Sequence, residues 1–383
     1  MRLFFLDNLK TFVVNLMIVF HVGLCYIAGP LPWWYVLDPD LRVEMTYWIL
    51  VTDMTIMPMM FYISGYFGIR SIAKKAGADF WKARWLRIGI PWLAGIVIFA
   101  PLVSFIMPYS RGLTDDFNTY LWNYYFFNPA TGGMGEFFNH VPYWYLGVLM
   151  VLYAGLYLFC RIRKSYARQL PAADSPQWWF FLLIGLFIFV NSVVINMITG
   201  NEYLWVPIGY LFVIQPSRIL LYVLFFWLGA YSWKHRWFEQ NGYVPSAEKW
   251  TAPFIFSAIL LPWSFCHSMS YVNNDPLQFL LLISLAHALL LTTAVFGWLG
   301  IFHKLFNHTN KIWGELAANS YTMYYCHIWF IFLPVLCLVP YSISPFLKWF
   351  VACAVGWPIT YMCSKVLLKL PFFAAGKRAK LNN

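Results

Sequence analysis

Lys10 and His21 stand eleven residues apart in the first long apolar run of the chain. Eleven helical residues at ~100° each come to ~20° past three full turns, so both side chains share one face, roughly 16 Å apart along the axis. The hydrocarbon core of a bilayer is ~30 Å thick. With Lys10 at one surface, His21 hangs near the midplane, where an ionisable group is costly unless it is paired or used. Imidazole, with an unperturbed pKa of ~6.5, can take a proton from a hydroxyl near neutrality. The competing role is structural, a hydrogen bond to a neighbouring helix. Asp7, Lys10, Val14, Met17 and His21 follow 3–4 spacing and form one stripe on that helix.

A second group lies in the run Asn319-Ser320-Tyr321-Thr322-Met323-Tyr324-Tyr325-Cys326-His327, where Ser320, Tyr324 and His327 share a face. Counted inward from Glu315, His327 reaches a depth similar to that of His21. Two histidines at one level point to a polar cavity inside a helix bundle, or to two helix-to-helix hydrogen bonds. Asp53 should face the interior or an aqueous cavity, because lipid would not tolerate it. Ser64 and Gly65 permit close helix approach, which serves packing as readily as binding. Arg84 and Arg87 lie about one helical turn apart beside an apolar run. Two guanidinium forks there suit a polyanion such as a nucleotide phosphate, and equally suit anchoring of topology.

The elements that carry these groups are membrane helices. The 383 residues are 61% hydrophobic, 21% aromatic and 11% charged, with a mean hydropathy of +0.62, which excludes an ordinary soluble domain. We read an all-α integral membrane protein, a single transmembrane domain over 1–383. Its ten spans are expected near 5–28, 46–69, 88–107, 143–161, 177–198, 218–233, 251–267, 277–299, 317–339 and 345–367. The stretch 203–216 is apolar, but Pro207, Gly209 and Pro216 mark it as an interfacial or re-entrant segment. The first run carries Asn15 and His21 and lacks a small-x-small cleavage site, so it is expected to be a span rather than a cleaved signal.

The net charge of +11 comes from cations dispersed among loops, a pattern of membrane topology rather than of nucleic-acid binding. With the N-terminus cytoplasmic, 22 lysines and arginines, among them Lys377, Arg378 and Lys380, fall on the cytoplasmic side. The other four, Arg42, Arg111, Arg218 and Lys348, fall opposite. That asymmetry places both termini in the cytoplasm. The 108–142 segment, with Asp115, Asp116, Glu136 and His140, is then the longest outward loop. The seven cysteines are scattered through apolar runs without metal-ligand or redox spacing, so buried thiols are expected and no bound metal.

At this point the motifs carry a resemblance. Leu6-Asp7-Asn8-Leu9-Lys10 followed by His21 resembles the basic-residue-x10-His signature of the integral-membrane acyltransferase family 3. Phe61 to Phe67 resembles its F-x-I-S-G-y-f segment, Arg84 to Pro91 its R-x-x-R-I-x-x-P segment, and Ser320 to His327 its S-x-x-x-Y-x-x-H segment. The match runs over nearly the whole length, in order, and is nearest to the glucan succinyltransferase-like branch. Lys10 stands where the family usually has arginine, which keeps the charge but loses the fork. Pro142 stands where the family often has a histidine before Trp144-Tyr145-Leu146, and His140 is out of register with it, so that histidine's role does not carry over.

The resemblance implies a multi-pass protein of the inner (plasma) membrane. It implies acyl transfer from acyl-coenzyme A, a substrate rather than a resident cofactor, to a hydroxyl of a carbohydrate-like acceptor. His21 is then the general base and Lys10 orients the donor or offsets negative charge. Arg84 and Arg87 hold the coenzyme A phosphates. Ser320, Tyr324 and His327 line the cavity and donate to a developing oxyanion, with Ser64 and Asp53 as further substrate-contacting residues. No long polar stretch is available for a second domain, so the membrane part is expected to do the work alone. Two other readings stand beside this one. A lipid-modifying membrane O-acyltransferase shares a deep histidine but leaves the Arg84/Arg87 segment unexplained. A proton-coupled transporter or exporter would use the histidines and Asp53 as a relay.

Overall fold

Proline and capping residues punctuate the apolar runs and set where helices begin. The computed structural model describes residues 2–29, 31, 33–75, 77–172, 175–200, 204–268, 275–370 and 372–373. Long helices occupy all ten expected ranges: α1 (Phe4–Gly23), α2 (Val43–Lys74), α3 (Gly77–Ser110), α4 (Trp144–Ile162), α5 (Trp178–Thr199), α6 (Pro216–Lys234), α7 (Ala247–Ser268), α8 (Pro276–Leu305), α9 (Lys311–Leu338) and α10 (Pro345–Leu367). Prolines open α6, α8 and α10, where the missing N–H is no loss. Asp275 and Asn310 cap α8 and α9 by accepting from the backbone N–H groups of Gln278 and Trp313. Gly200, at φ +64°, closes α5 in the left-handed conformation.

Eight of these helices are long and apolar enough to cross a membrane. The other two, α6 and α7, have the length but not the composition. Arg218 and Lys234 lie in α6, while Glu248, Lys249, Pro253 and Pro262 lie in α7. Each is sheltered by a neighbour, α6 running along α2 and α7 along α8. Several helices exceed their expected ends, α3 most of all: residues 77–87, expected as a charged loop, are its first turns. Within α3 two π-helical stretches, Trp85–Gly89 and Gly95–Phe99, accompany Pro91 and Pro101. Proline has no N–H for the carbonyl four residues back, and the ladder shifts register around it.

α1 is the hub, packing against α2, α8, α9 and α10, with Phe5, Leu6, Leu9 and Ile18 fully buried. The described part of the segment between α5 and α6 is not helical: it forms a small antiparallel hairpin, β1 (Val206–Ile208) with β2 (Phe212–Ile214), in which Pro207 faces Val213. The loop between α3 and α4 is partly ordered by a short helix, Phe117–Tyr120, capped by the Asp116 carboxylate. The cations Lys377, Arg378 and Lys380 of the topology argument lie outside the described residues.

Candidate active site

The hydrogen bonds of the two deep histidines fix their tautomers. His327 Nδ1 lies 2.7 Å from the Tyr324 carbonyl oxygen of its own helix. A carbonyl only accepts, so His327 Nδ1 carries the proton, and in the neutral ring Nε2 is an acceptor. His21 Nδ1 lies 2.7 Å from that Nε2, with the two rings parallel to within 5°. His21 Nδ1–H therefore donates to His327, and the lone pair of His21 is left on Nε2. The matched depth expected from the sequence is thus direct contact between α1 and α9, with both residues buried.

His21 lines a cavity of about 250 Å³ that His327 does not reach. Since Nδ1 is turned to His327, Nε2 is the nitrogen left with a free lone pair, on a ring that lines the cavity. Trp34, from the loop after α1, sets its ring 5.3 Å from the imidazole. That loop is pinned from several sides. Its buried Asp38 pairs with Lys348 of α10 at 2.7 Å, Arg111 donates to the Trp34 carbonyl, and the Tyr35 hydroxyl donates to the Val141 carbonyl. Asp53 lies in the same cavity wall and pairs with Arg218 of α6 at 2.6 Å.

Tyr145 and Tyr324 also line the cavity. Behind Tyr145, its hydroxyl shares a 2.8 Å hydrogen bond with Ser64 Oγ, and the Tyr153 hydroxyl donates to the Ser64 carbonyl. The Arg84 guanidinium sits over the Tyr153 ring at 4.4 Å and near Phe80 at 5.2 Å. Its buried Nε has no hydrogen-bond partner among the described residues. A continuous line of contacts therefore joins Arg84 to the cavity through Tyr153, Ser64 and Tyr145. Pro91 cannot donate to the Arg87 carbonyl, and the Tyr321 hydroxyl of α9 does so instead.

The expected site residues thus separate. His21, Tyr324 and Asp53 line one cavity, His327 stands directly behind His21, and Ser64 stands behind Tyr145. Lys10 is half-buried and outside the cavity wall, three turns away on α1. Ser320 is fully buried and also outside it. The oxyanion-donor role expected of three residues meets donors already committed. Ser320 Oγ donates to the Ala317 carbonyl, Tyr324 donates to the Pro142 carbonyl at 2.6 Å, and His327 Nδ1 donates to Tyr324. Sequence reasoning passed over Trp34, Tyr145, Trp205, Gln215 and Arg218, all in the cavity wall. For Arg218 the signal was present, a cation two residues past a helix-opening proline in an otherwise apolar run. Its topological reading hid it.

The family model described as "Acyltransferase domain" matches residues 3–365, nearly the whole chain. Curated relatives include the proteins named "Glucans biosynthesis protein C" of Salmonella typhi and Salmonella typhimurium. Each is 27% identical over 258 residues, which is 64% of this chain and 62% of the relative. The protein of that name from Salmonella heidelberg is 27% identical over 257 residues, with the same coverage. The match thus spans under two thirds of these relatives' own length. No solved structure matches the chain at a significant level. The family match over this length, on a bundle of membrane-length helices, makes the chain a member of the acyltransferase-3 family of multi-pass membrane acyltransferases.

Proposed function

We propose that the protein transfers an acyl group from acyl-coenzyme A to a hydroxyl of a carbohydrate-like acceptor. The observation that carries this reading is the tautomer lock, in which His327 accepts from His21 Nδ1–H and leaves the lone pair on Nε2 of a ring that lines the cavity. In the reaction His21 Nε2 takes the acceptor hydroxyl proton as the oxygen attacks the thioester carbonyl. The tetrahedral adduct collapses, the carbon–sulfur bond breaks, and the proton passes from Nε2 to the departing thiolate, giving an ester and free coenzyme A. His327 offsets the imidazolium as a hydrogen-bond acceptor for Nδ1–H, the part a carboxylate plays in hydrolase triads.

Tyr145 is the donor we assign to the developing oxyanion. Its hydroxyl reaches the Met60 carbonyl only at 3.5 Å, the weakest of the hydrogen bonds made by the cavity-wall hydroxyls, so it can accept from Ser64 and give up that long bond to donate to substrate. Arg84 and Arg87 grip the coenzyme A phosphates, and the unpartnered Arg84 Nε leaves room for one such contact. The donor then runs from them past Ser64 and Tyr145 to His21. Lys10 acts at a distance, drawing the anionic donor to that end of the bundle. The cationic ends of the helices mark the cytoplasmic side, where coenzyme A is available, and both termini lie there in the inner membrane. The name of the Salmonella relatives, "Glucans biosynthesis protein C", speaks for a glucan-type acceptor. The family match favours transfer over transport.

The test is thioester cleavage by purified protein, read as free coenzyme A, together with mass spectrometry of cell glycans with and without the gene. His21→Ala should abolish both signals at equal levels of folded protein. Turnover near wild type in that variant would refute the assignment.

A further inference from the structure

The cavity has a second chemical pole besides His21. Asp53 of α2 and Arg218 of α6 form an ion pair at 2.6 Å, their side chains 22% and 7% exposed, and both line the cavity. Helix packing alone does not account for the pair. α2 and α6 are already held in close approach by glycines on both sides of their contact. A β-carbon at Gly65 would strike the Phe226 carbonyl, and one at Gly229 would strike the Tyr62 carbonyl. A sheltered ion pair adds little to such an interface, since desolvating two charges offsets most of their attraction.

The surroundings of the pair are aromatic. Trp205 and Gln215 are the residues just before β1 and just after β2, so the hairpin delivers both to the cavity wall. Trp205 meets Trp33 and Trp144 edge to face, at 5.8 and 5.4 Å, and Trp144 leans on Tyr222 at 5.5 Å. The indole N–H of Trp205 has no hydrogen-bond partner among the described residues. The wall thus offers flat apolar faces, a carboxylate that accepts, and a guanidinium, an amide and an indole N–H that donate. Among the described lining residues Asp53 and Arg218 are the charged pair and they balance. An anionic ligand would have to displace the carboxylate. A neutral ring with apolar C–H faces and a rim of hydroxyls has no such penalty: it can stack on the indoles, donate to Asp53 and accept from Arg218 and Gln215.

We infer that the part of the cavity wall made by Asp53, Arg218, Gln215, Trp205 and Trp33 is the acceptor subsite, and that it takes a neutral pyranose ring. This rests on the acyl-transfer reading above and assigns it a place: a ring held there shares one cavity with His21 Nε2 and presents a hydroxyl to it.

The experiment uses the full chain in cells that carry their own acceptor glycan. The proteins are wild type, Asp53→Asn, Arg218→Gln and the charge-swapped double variant D53R/R218D. Glycan acyl content and acyl identity are read by mass spectrometry at equal protein level, and coenzyme A affinity is read on the purified proteins. Each single variant should lower glycan acylation about tenfold to a hundredfold, the cost of one or two lost charge-assisted hydrogen bonds. Coenzyme A affinity should stay unchanged, and the swap should not rescue acylation. Three results overturn the subsite: single variants that acylate like wild type, a swap that restores acylation, as a mere helix tie would, or an Arg218→Gln protein that changes which acyl group is transferred, which would make Arg218 a reader of the donor. Wild-type cells whose glycans match those of the gene deletion would instead overturn the acceptor class itself.

Discussion

Replacing His327 with leucine tests the tautomer lock without touching His21, the proposed base. In the wild-type protein the Tyr324 carbonyl fixes the His327 Nδ1 proton, and His327 Nε2 accepts from His21 Nδ1, each contact at 2.7 Å in a buried setting. Leucine keeps the volume and apolar packing but leaves His21 Nδ1–H without an acceptor. A buried donor stripped of its partner costs about 1–3 kcal/mol. The imidazole escapes that cost by moving its proton to Nε2, and the base thereby becomes a donor. At about 1.4 kcal/mol per decade, kcat should fall roughly ten- to a hundredfold, with the KM for acyl-coenzyme A little changed. His327→Gln should recover most of the loss, because one amide supplies both an oxygen for His21 Nδ1–H and an N–H for the Tyr324 carbonyl. The assay is coenzyme A release by purified protein with acceptor present, with thermal melts to show equal folding. Wild-type kcat in His327→Leu, or a His327→Gln protein no better than the leucine variant, would refute the lock.

Arg84→Gln with Arg87→Gln should raise the KM for acyl-coenzyme A by roughly ten- to a hundredfold per arginine, leaving acceptor dependence alone. Unchanged affinity in correctly inserted protein would reduce them to topology anchors. His140, in the loop between α3 and α4, has its pKa pushed down from 6.5 to about 4 by burial. Above pH 6.5 it contributes nothing, while from there down to pH 4 the unfolded chain takes up a proton that the folded chain refuses. Stability should fall over that window by something on the order of 3 kcal/mol, and melts of wild type against His140→Phe from pH 4 to 7 should show the loss only in wild type. For topology, single cysteines at Lys75 and Gly112 in a cysteine-free protein should label from opposite sides of the membrane; labelling of both from outside would invalidate the sidedness drawn from the charges.

What the sequence disclosed here is what periodicity and transfer cost can carry. Helix positions were legible because apolar length is a strong signal, and the hairpin at 206–214 was withheld from the spans by Pro207 and Gly209 within it and Pro216 just after it. Periodicity also assigns residues to a face and a depth, which is why His21 and His327 were matched in level. It does not assign azimuth between helices. The contact between the two rings depends on how α1 and α9 are turned against each other, and the Asp53–Arg218 pair on how α6 is turned against α2. Nor does a face say where a proton goes. Ser320 and His327 follow the same spacing, but their donors are consumed three residues back, by the Ala317 and Tyr324 carbonyls. For Ser320 that ends its candidacy as an oxyanion donor. For His327 the same local bond has the opposite effect, since it frees Nε2 to orient His21. The tautomer on which the proposed chemistry rests is therefore set by a backbone carbonyl, a group every residue has and no motif records.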